Sequence, residues 1–253
     1  MRMRRWTETT VMRSLRSTIA TKGFGPYRVA RHPALGYRTA IEISNLTGAL
    51  DFEAELKAFF KRENPRLGDD NLASIARSQF ALYTSFTRNI GSIRGIATED
   101  FVDRVHARPA TSAVTAARYD TVLWLESEEA AGEIGLEGYR IGQVRTIFSL
   151  PASLHCLRPQ ASITGTHLAY LELFTPFTPR PEPHSKLFQV SRSVTNTGRR
   201  TIVVPLDLIF RSCHLIPKWG KAVDHQWSST NVLERCKAFY LNSFSDHHMY
   251  LFV

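Results

Sequence analysis

The chain lacks most of the features that assign a protein quickly. No stretch approaches the ~18 consecutive apolar residues of a bilayer-spanning helix, so no membrane partner is expected. Cysteine is scarce. Cys156, Cys213 and Cys236 are the only three, an odd number with no close pair. That argues against a disulfide-stapled secreted scaffold and against a cysteine-rich zinc module. Glycine and proline, 14 and 12 in 253 residues, are too few for a collagen-like or wholly disordered chain. The phosphate-binding patterns G-x-x-x-x-G-K-[ST] and G-x-G-x-x-G are absent. Gly23-Phe24-Gly25 does not replace them, because no β-rich run precedes it. The H-E-x-x-H and G-x-S-x-G patterns are also missing.

What is present suits a packed core. Of the 253 residues, 43% are apolar and 22% charged, enough for one large domain or two small ones. The net charge of +9 is unevenly spread. Residues 1–38 hold nine Arg or Lys against the single acid Glu8, while the remainder is nearly balanced. Such a basic arm suits phosphates or an anionic surface, or is simply a solvated leader. Arg2, Arg4, Arg5, Arg13 and Arg16 among many Ser and Thr also have the look of a mitochondrial leader. Val11, Met12, Leu15 and Ile19 can share one helical face there, until Gly23, Gly25 and Pro26 stop the pattern.

Further along, Phe52, Leu56, Phe59 and Phe60 fall at spacings of three and four. Asp51 stands before them and Pro65 after them, which predicts a helix over residues 51–63. Residues 65–78 read as a polar linker, residues 79–90 as a strand or short helix, and residues 98–118 as a possible short helix followed by a loop. From Tyr119 the pattern turns β-rich. Short runs at 119–125, 139–150, 167–177, 186–192 and 201–204 are separated by Gly- or Pro-containing turns, spacing that predicts a small barrel or sandwich. A last strand is expected over 212–216. Val232, Leu233, Cys236, Phe239 and Tyr240 then mark one face of a terminal helix near residues 230–240.

The search for chemistry finds little. Asp246-His247-His248 is the densest histidine cluster, and Cys213, His214 and Cys236 could join His247 only by folding. No zinc is expected there, since nothing in the spacing demands it. Arg140, Arg145, Arg192, Arg199, Arg200 and Arg211 lie in or beside the proposed strands. Tyr170, Phe174, Phe177 and Trp219 lie near turns. Basic and aromatic side chains together can clamp nucleic acid, or the aromatics can form a peptide-binding cage. The acids of residues 126–133 would oppose phosphate.

Several motifs carry a family resemblance. They are residues 24–31 (F-G-P-Y-R-V-A-R), 119–125, 137–150 (E-G-Y-R-I-G-Q-V-R-T-I-F-S-L), 168–177 (L-A-Y-L-E-L-F-T-P-F), 204–220 (V-P-L-D-L-I-F-R-S-C-H-L-I-P-K-W-G) and 227–247. Together they resemble the C-terminal accessory region of fungal, mainly basidiomycete, proteins encoded by Plavaka-type DNA transposons. In that family the RNase H-like chemistry lies upstream, so no catalytic residue carries over, and the chain looks like a detached tail or decayed copy. The order of the β runs also resembles a bromo-adjacent homology (BAH) domain on an SH3-like barrel, a module that binds chromatin proteins without catalysis.

The resulting expectation is an α+β chain. A basic flexible arm spans 1–38, a helical region with a linker spans 39–118, and a small antiparallel SH3-like or BAH-like β-barrel spans 119–220. A C-terminal helix and tail over 221–253 pack on the barrel. The expected function is a noncatalytic binding or structural module of a transposon-encoded protein, with no catalytic, cofactor-binding or metal residues. Its expected partner is a chromatin protein or DNA. The alternatives are sequence-nonspecific DNA binding by the arm, and a transposase fragment without its core. The nucleus is the expected location, with mitochondrion and cytoplasm as alternatives.

Overall fold

The computed structural model describes residues 27–90, 101–110, 115–132, 135–158, 165–196, 198–220, 225–246, 249, 250 and 253. Local sequence sets the first helices. In α1 (Ala40–Thr47), the Thr39 backbone N–H donates to Glu42 Oε2 at 2.8 Å, and Gly48 ends the helix with φ 74°. That left-handed cap suits glycine. Helix α2 (Phe52–Glu63) buries Phe52, Leu56, Phe59 and Phe60 as their spacing predicts. Glu53 and Glu55 lie in its first turn and Lys61 and Arg62 in its last, complementing the helix dipole. Each buried phenylalanine contributes roughly 1.5–3 kcal/mol. The polar stretch after it holds the one-turn helix α3 (Asp69–Leu72) and a 3-10 turn, Ala73–Arg77, which bury Leu72 and Ile75.

The strands are β1 (Tyr27–Val29), β2 (Tyr37–Arg38), β3 (Phe80–Tyr83), β4 (Ser85–Ile90), β5 (Phe101–Arg108), β6 (Arg118–Tyr119), β7 (Thr121–Leu125) and β8 (Tyr139–Ser149). They continue with β9 (His167–Leu173), β10 (Gln189–Ser191), β11 (Val194–Thr195), β12 (Gly198–Arg199), β13 (Thr201–Pro205), β14 (Ile209–Ser212), β15 (Leu215–Pro217) and β16 (Ala238–Leu241). Helix α4 (Val232–Arg235) is a single turn.

The eleven-residue β8 organises the largest sheet. Along one edge it pairs with β9, which pairs in turn with β13. Its other edge is shared, with β7 on residues 139–143 and β3 on residues 147–149. Strands β14 and β2 extend these two branches, giving seven strands. A second sheet has the order β1-β4-β5-β6, a third β10-β16-β15, and β11-β12 is a two-stranded ribbon. The chain changes sheet at sharp corners. Thr84 separates β3 from β4, and Asp120 separates β6 from β7.

Three apolar clusters hold these layers. Helices α1 and α2 pack Ile43, Phe52, Leu56 and Phe60 against Phe80, Phe148, Leu168, Tyr170 and Val203. The opposite face of the long sheet packs Val144, Ile147, Ala169 and Leu171 against Phe86, Val105 and Ala107 of the four-stranded sheet. The third cluster joins Leu123, Ile141 and Phe174 to Val190, Phe210, Phe239, Leu241 and Met249.

The expected closed barrel over 119–220 is not formed, and neither the SH3-like nor the BAH-like description holds. The α+β content stands, but the sheets are open. Strands β13 and β14 follow one another across the 3-10 turn Leu206–Leu208 without pairing. Strands from outside the expected window, β2, β3 and β16, complete the sheets instead. The physical reason is that helices and a second sheet bury the two faces of the long sheet, so closure on itself is not needed to hide them. Residues 27–38, at the end of the expected arm, supply β1 and β2. The terminal segment expected as a helix over 230–240 is one helical turn followed by β16, the central strand of its sheet.

Candidate functional site

One face of the long sheet carries a polar row between two apolar clusters. Thr121, Gln143, Glu172 and Thr201 are aligned by cross-strand register on β7, β8, β9 and β13. Strand neighbours on either side of this row, Tyr170 and Phe174, are core residues. Arginines converge on the row. Arg199 donates to both Glu172 and Glu234. Arg145 Nε lies 3.4 Å from Glu172 Oε1, and Arg192 Nη1 lies 3.6 Å from Glu172 Oε2. The Arg145 guanidinium also stacks 4.2 Å over the Tyr119 ring and donates to the last-turn carbonyl of Thr47 at 3.0 Å. Arg192 stacks 4.5 Å over Phe174. Burial alone would push the Glu234 carboxyl up. The hydrogen bond and charge of Arg199, with Arg192 and Arg145 behind it, outweigh that and hold it below the usual range.

This geometry decides the fate of the arginines singled out from sequence. Arg140 is buried and spends Nε on the Phe174 carbonyl at 2.8 Å and Nη1 on Glu126 at 2.7 Å. Arg211 makes a two-pronged bond to Asp246, at 3.0 and 2.6 Å. With Arg145, Arg192 and Arg199 also on carboxylates, Arg200 alone of the six is exposed and has no ion pair among the described residues. The aromatics separate as well. Tyr170 and Phe174 are core, Phe177 packs edge-on against Phe188, and Trp219 lies at the surface tilted against Trp227 at 5.5 Å. Tyr170, Phe174 and Trp219 therefore do not share a cage.

The groups with acid–base potential are held apart. His106 Nδ1 lies 2.9 Å from Asp120 Oδ2, and Arg118 Nε donates to the other oxygen at 3.1 Å. No hydroxyl or thiol among the described residues hydrogen-bonds to His106. Cys213 lies near Asp120, but burial pushes its thiol up to about 12, so it stays protonated. Tyr27 is within 3.4 Å of His167 Nδ1, and burial, then Asp207, raises its phenol to about 12. Cys236 donates to the Ala238 carbonyl at 2.9 Å. Among the described residues no three His, Cys, Asp or Glu side chains gather as a metal site, and His247 and His248 lie outside those residues. An open groove of about 700 Å³ beside β2 is lined by Tyr37, Ser74, Arg77, Gln79, Pro151 and Ser153, with no carboxylate or imidazole.

One group of exposed arginines lies on the four-stranded sheet. Register places Arg28, Thr87 and Arg104 in one row across β1, β4 and β5. Ser85 stands opposite His106, and Arg108 opposite Arg118. Alternation puts these side chains on the face away from Phe86, Val105 and Ala107, and the four arginines are exposed. Arg28, Arg104 and Arg108 make no hydrogen bond or ion pair with the described residues. Asp120, at the corner after β6, is engaged by His106 and Arg118. No family model matches the chain, and no curated protein or solved structure matches it either. One strand of this surface carries a sequence signal. In residues 101–108, Arg104, His106 and Arg108 alternate with Asp103, Val105 and Ala107, a strand period rather than the helix expected near 98–118. Among the described residues no helix is long and apolar enough to cross a membrane.

Proposed function

We propose that the chain is a noncatalytic binding module of the kind it resembles in sequence, the accessory region of a fungal transposon-encoded protein, working in the nucleus. The observation that carries this reading is the contrast in how polar groups are used. Inside the fold they are committed to one another, as in the Arg145, Arg192, Arg199, Glu172 and Glu234 cluster. On the outside of β1 and β5, Arg28, Arg104 and Arg108 have no hydrogen-bond or ion-pair partner among the described residues, and Arg118 on β6 is paired with Asp120 alone. A rigid sheet presenting unsatisfied charge suits recognition. Among the described residues, a thiol held protonated and a His–Asp pair with no hydroxyl or thiol bonded to it do not suit group transfer.

The test is hydrogen exchange on the full chain at low salt, with anionic probes of three kinds: duplex DNA, single-stranded DNA and an acidic peptide. Slowed exchange in residues 85–90 and 101–108 with any one of them supports the reading. Unchanged exchange with all three overturns it. The transposon origin is tested separately, by asking whether the transcript carries the same frame upstream into an RNase H-like nuclease.

A further inference from the structure

We infer that the outer face of β1, β4, β5 and β6 is a phosphate-contacting surface for duplex DNA, with Arg28, Arg104, Arg108 and Arg118 as its contacts. This rests on the binding-module reading and names the partner of that same face. Charge complementarity argues for a polyanion. Four exposed arginines and His106 share a face on which the strands place no acid, and the rest of that face is Ser85, Thr87, Asn89 and Val102. Arg108 and Arg118 stand directly opposite each other on paired strands. Two like charges in that position repel and weaken the pairing. Asp120 bonds Arg118 but not Arg108, so an anion bridging the two relieves a repulsion that the fold leaves in place.

The spacing suits a backbone of repeated charges. Arg104 and Arg108 lie four residues apart on one strand, about 13 Å, and Arg28 lies two strands from Arg104, about 10 Å. Each strand of duplex DNA presents one phosphate per ~3.4 Å of helix axis, so several arginines can be matched at once without a fixed sequence register. The described strands place no Phe, Tyr or Trp on this face, and its one imidazole, His106, is bonded to Asp120. Single-strand binders use aromatic rings as stacking platforms, which favours the duplex, held by its phosphates and read without sequence preference.

The experiment is a salt titration of binding to a short labelled duplex of mixed sequence, using the full chain throughout. Four contacts predict a slope of log K against log salt of about −3.6 on B-DNA, and the double variant Arg104→Ala/Arg108→Ala should lower its magnitude by about 2. A second full-length variant, with Arg2, Arg4, Arg5, Arg13 and Arg16 changed to Gln, controls for the arm. Circular dichroism melting of each variant confirms folding. A slope that falls with the Arg104 and Arg108 changes and persists in the arm variant supports the inference. A slope that disappears only in the arm variant overturns it and assigns DNA contact to the arm. Binding of single-stranded DNA or acidic peptide that needs Arg104 and Arg108, with none to duplex, overturns the partner and leaves the module reading intact. No binding to any probe overturns both.

Discussion

The long sheet and the four-stranded sheet use the same residue in opposite ways. On the long sheet Arg145 meets Glu172 and Glu234, and Arg192 and Arg199, arriving from neighbouring segments, meet the same two carboxylates. On the four-stranded sheet the arginines divide by face. Arg88 points inward, stands in register with Asp103, and donates to the Leu206 carbonyl at 2.7 Å. Arg28, Arg104 and Arg108 point outward and meet no carboxylate among the described residues. Buried charge has to be matched because water no longer solvates it, while exposed charge is free to wait for a partner. A positive charge count therefore does not locate a binding face. The locating feature is the absence of a carboxylate near arginines that solvent already reaches.

The sharpest way to break this comparison is to unbalance the long sheet. Glu172→Ala leaves Arg145, Arg192 and Arg199 around a buried gap, and should cost about 3–5 kcal/mol in urea unfolding. A cost near zero would mean that the cluster is solvated and the two sheets do not differ as described. Of similar size is Phe86→Ala. It removes a fully buried ring beneath the four-stranded sheet and should cost about 3–5 kcal/mol in thermal or urea unfolding. This separates what holds that sheet, its inner apolar face, from the charges it displays.

Acid should act on the paired arginines and spare the unpaired ones. Glu234 is held below its ordinary 4.5 by Arg199, Arg192 and Arg145 against the upward push of burial. Asp246 is held below 3.8 mainly by Arg211, again against burial. For such lowered carboxylates the stabilisation is complete above the ordinary values and is lost as pH falls through the lower folded ones. The urea midpoint should therefore drop as pH falls below about 4.5, and Glu234→Gln should flatten part of that drop. The smallest effect is expected on the open face. Arg104→Thr and Arg108→Thr should each shift stability by no more than about 0.5 kcal/mol. Arg108→Thr should lean toward stabilisation, because it removes the repulsion from Arg118 and places a β-branched residue in a strand. A large loss from either would show that the arginine has an internal partner.

The parts of the fold legible in sequence are those built from near neighbours. Phe52, Leu56, Phe59 and Phe60 mark helix α2 because a helix reads contacts three and four residues apart. Strand β8 was only half legible. It is buried on both faces and carries an irregular register between Val144 and Thr146, so its apolar residues do not keep a clean period of two. The terminal segment misled for a related reason. Val232, Leu233, Cys236, Phe239 and Tyr240 fit a helical stripe, yet Phe239 and Leu241 face the core from a strand whose partners are residues 189–191 and 215–217. The strand-adjacent arginines stand out in the sequence, but which of them meets a carboxylate depends on register, and Arg104 and Arg108 reveal themselves only through their alternation with Val105 and Ala107.

Sequence by itself determined the β-rich middle of the chain, the α2 helix, the concentration of positive charge in residues 1–38 and the absence of familiar catalytic patterns. These depend on composition and on spacings of a few residues. Tertiary structure alone decided that the sheets stay open and which arginines are neutralised. Arg192 and Glu172, or Arg211 and Asp246, are 20 and 35 residues apart, and they meet only because strand register and the packing of three clusters bring them together. Register is set by burial of whole strand faces, a cooperative choice made over the entire sheet, so no local stretch of sequence carries it.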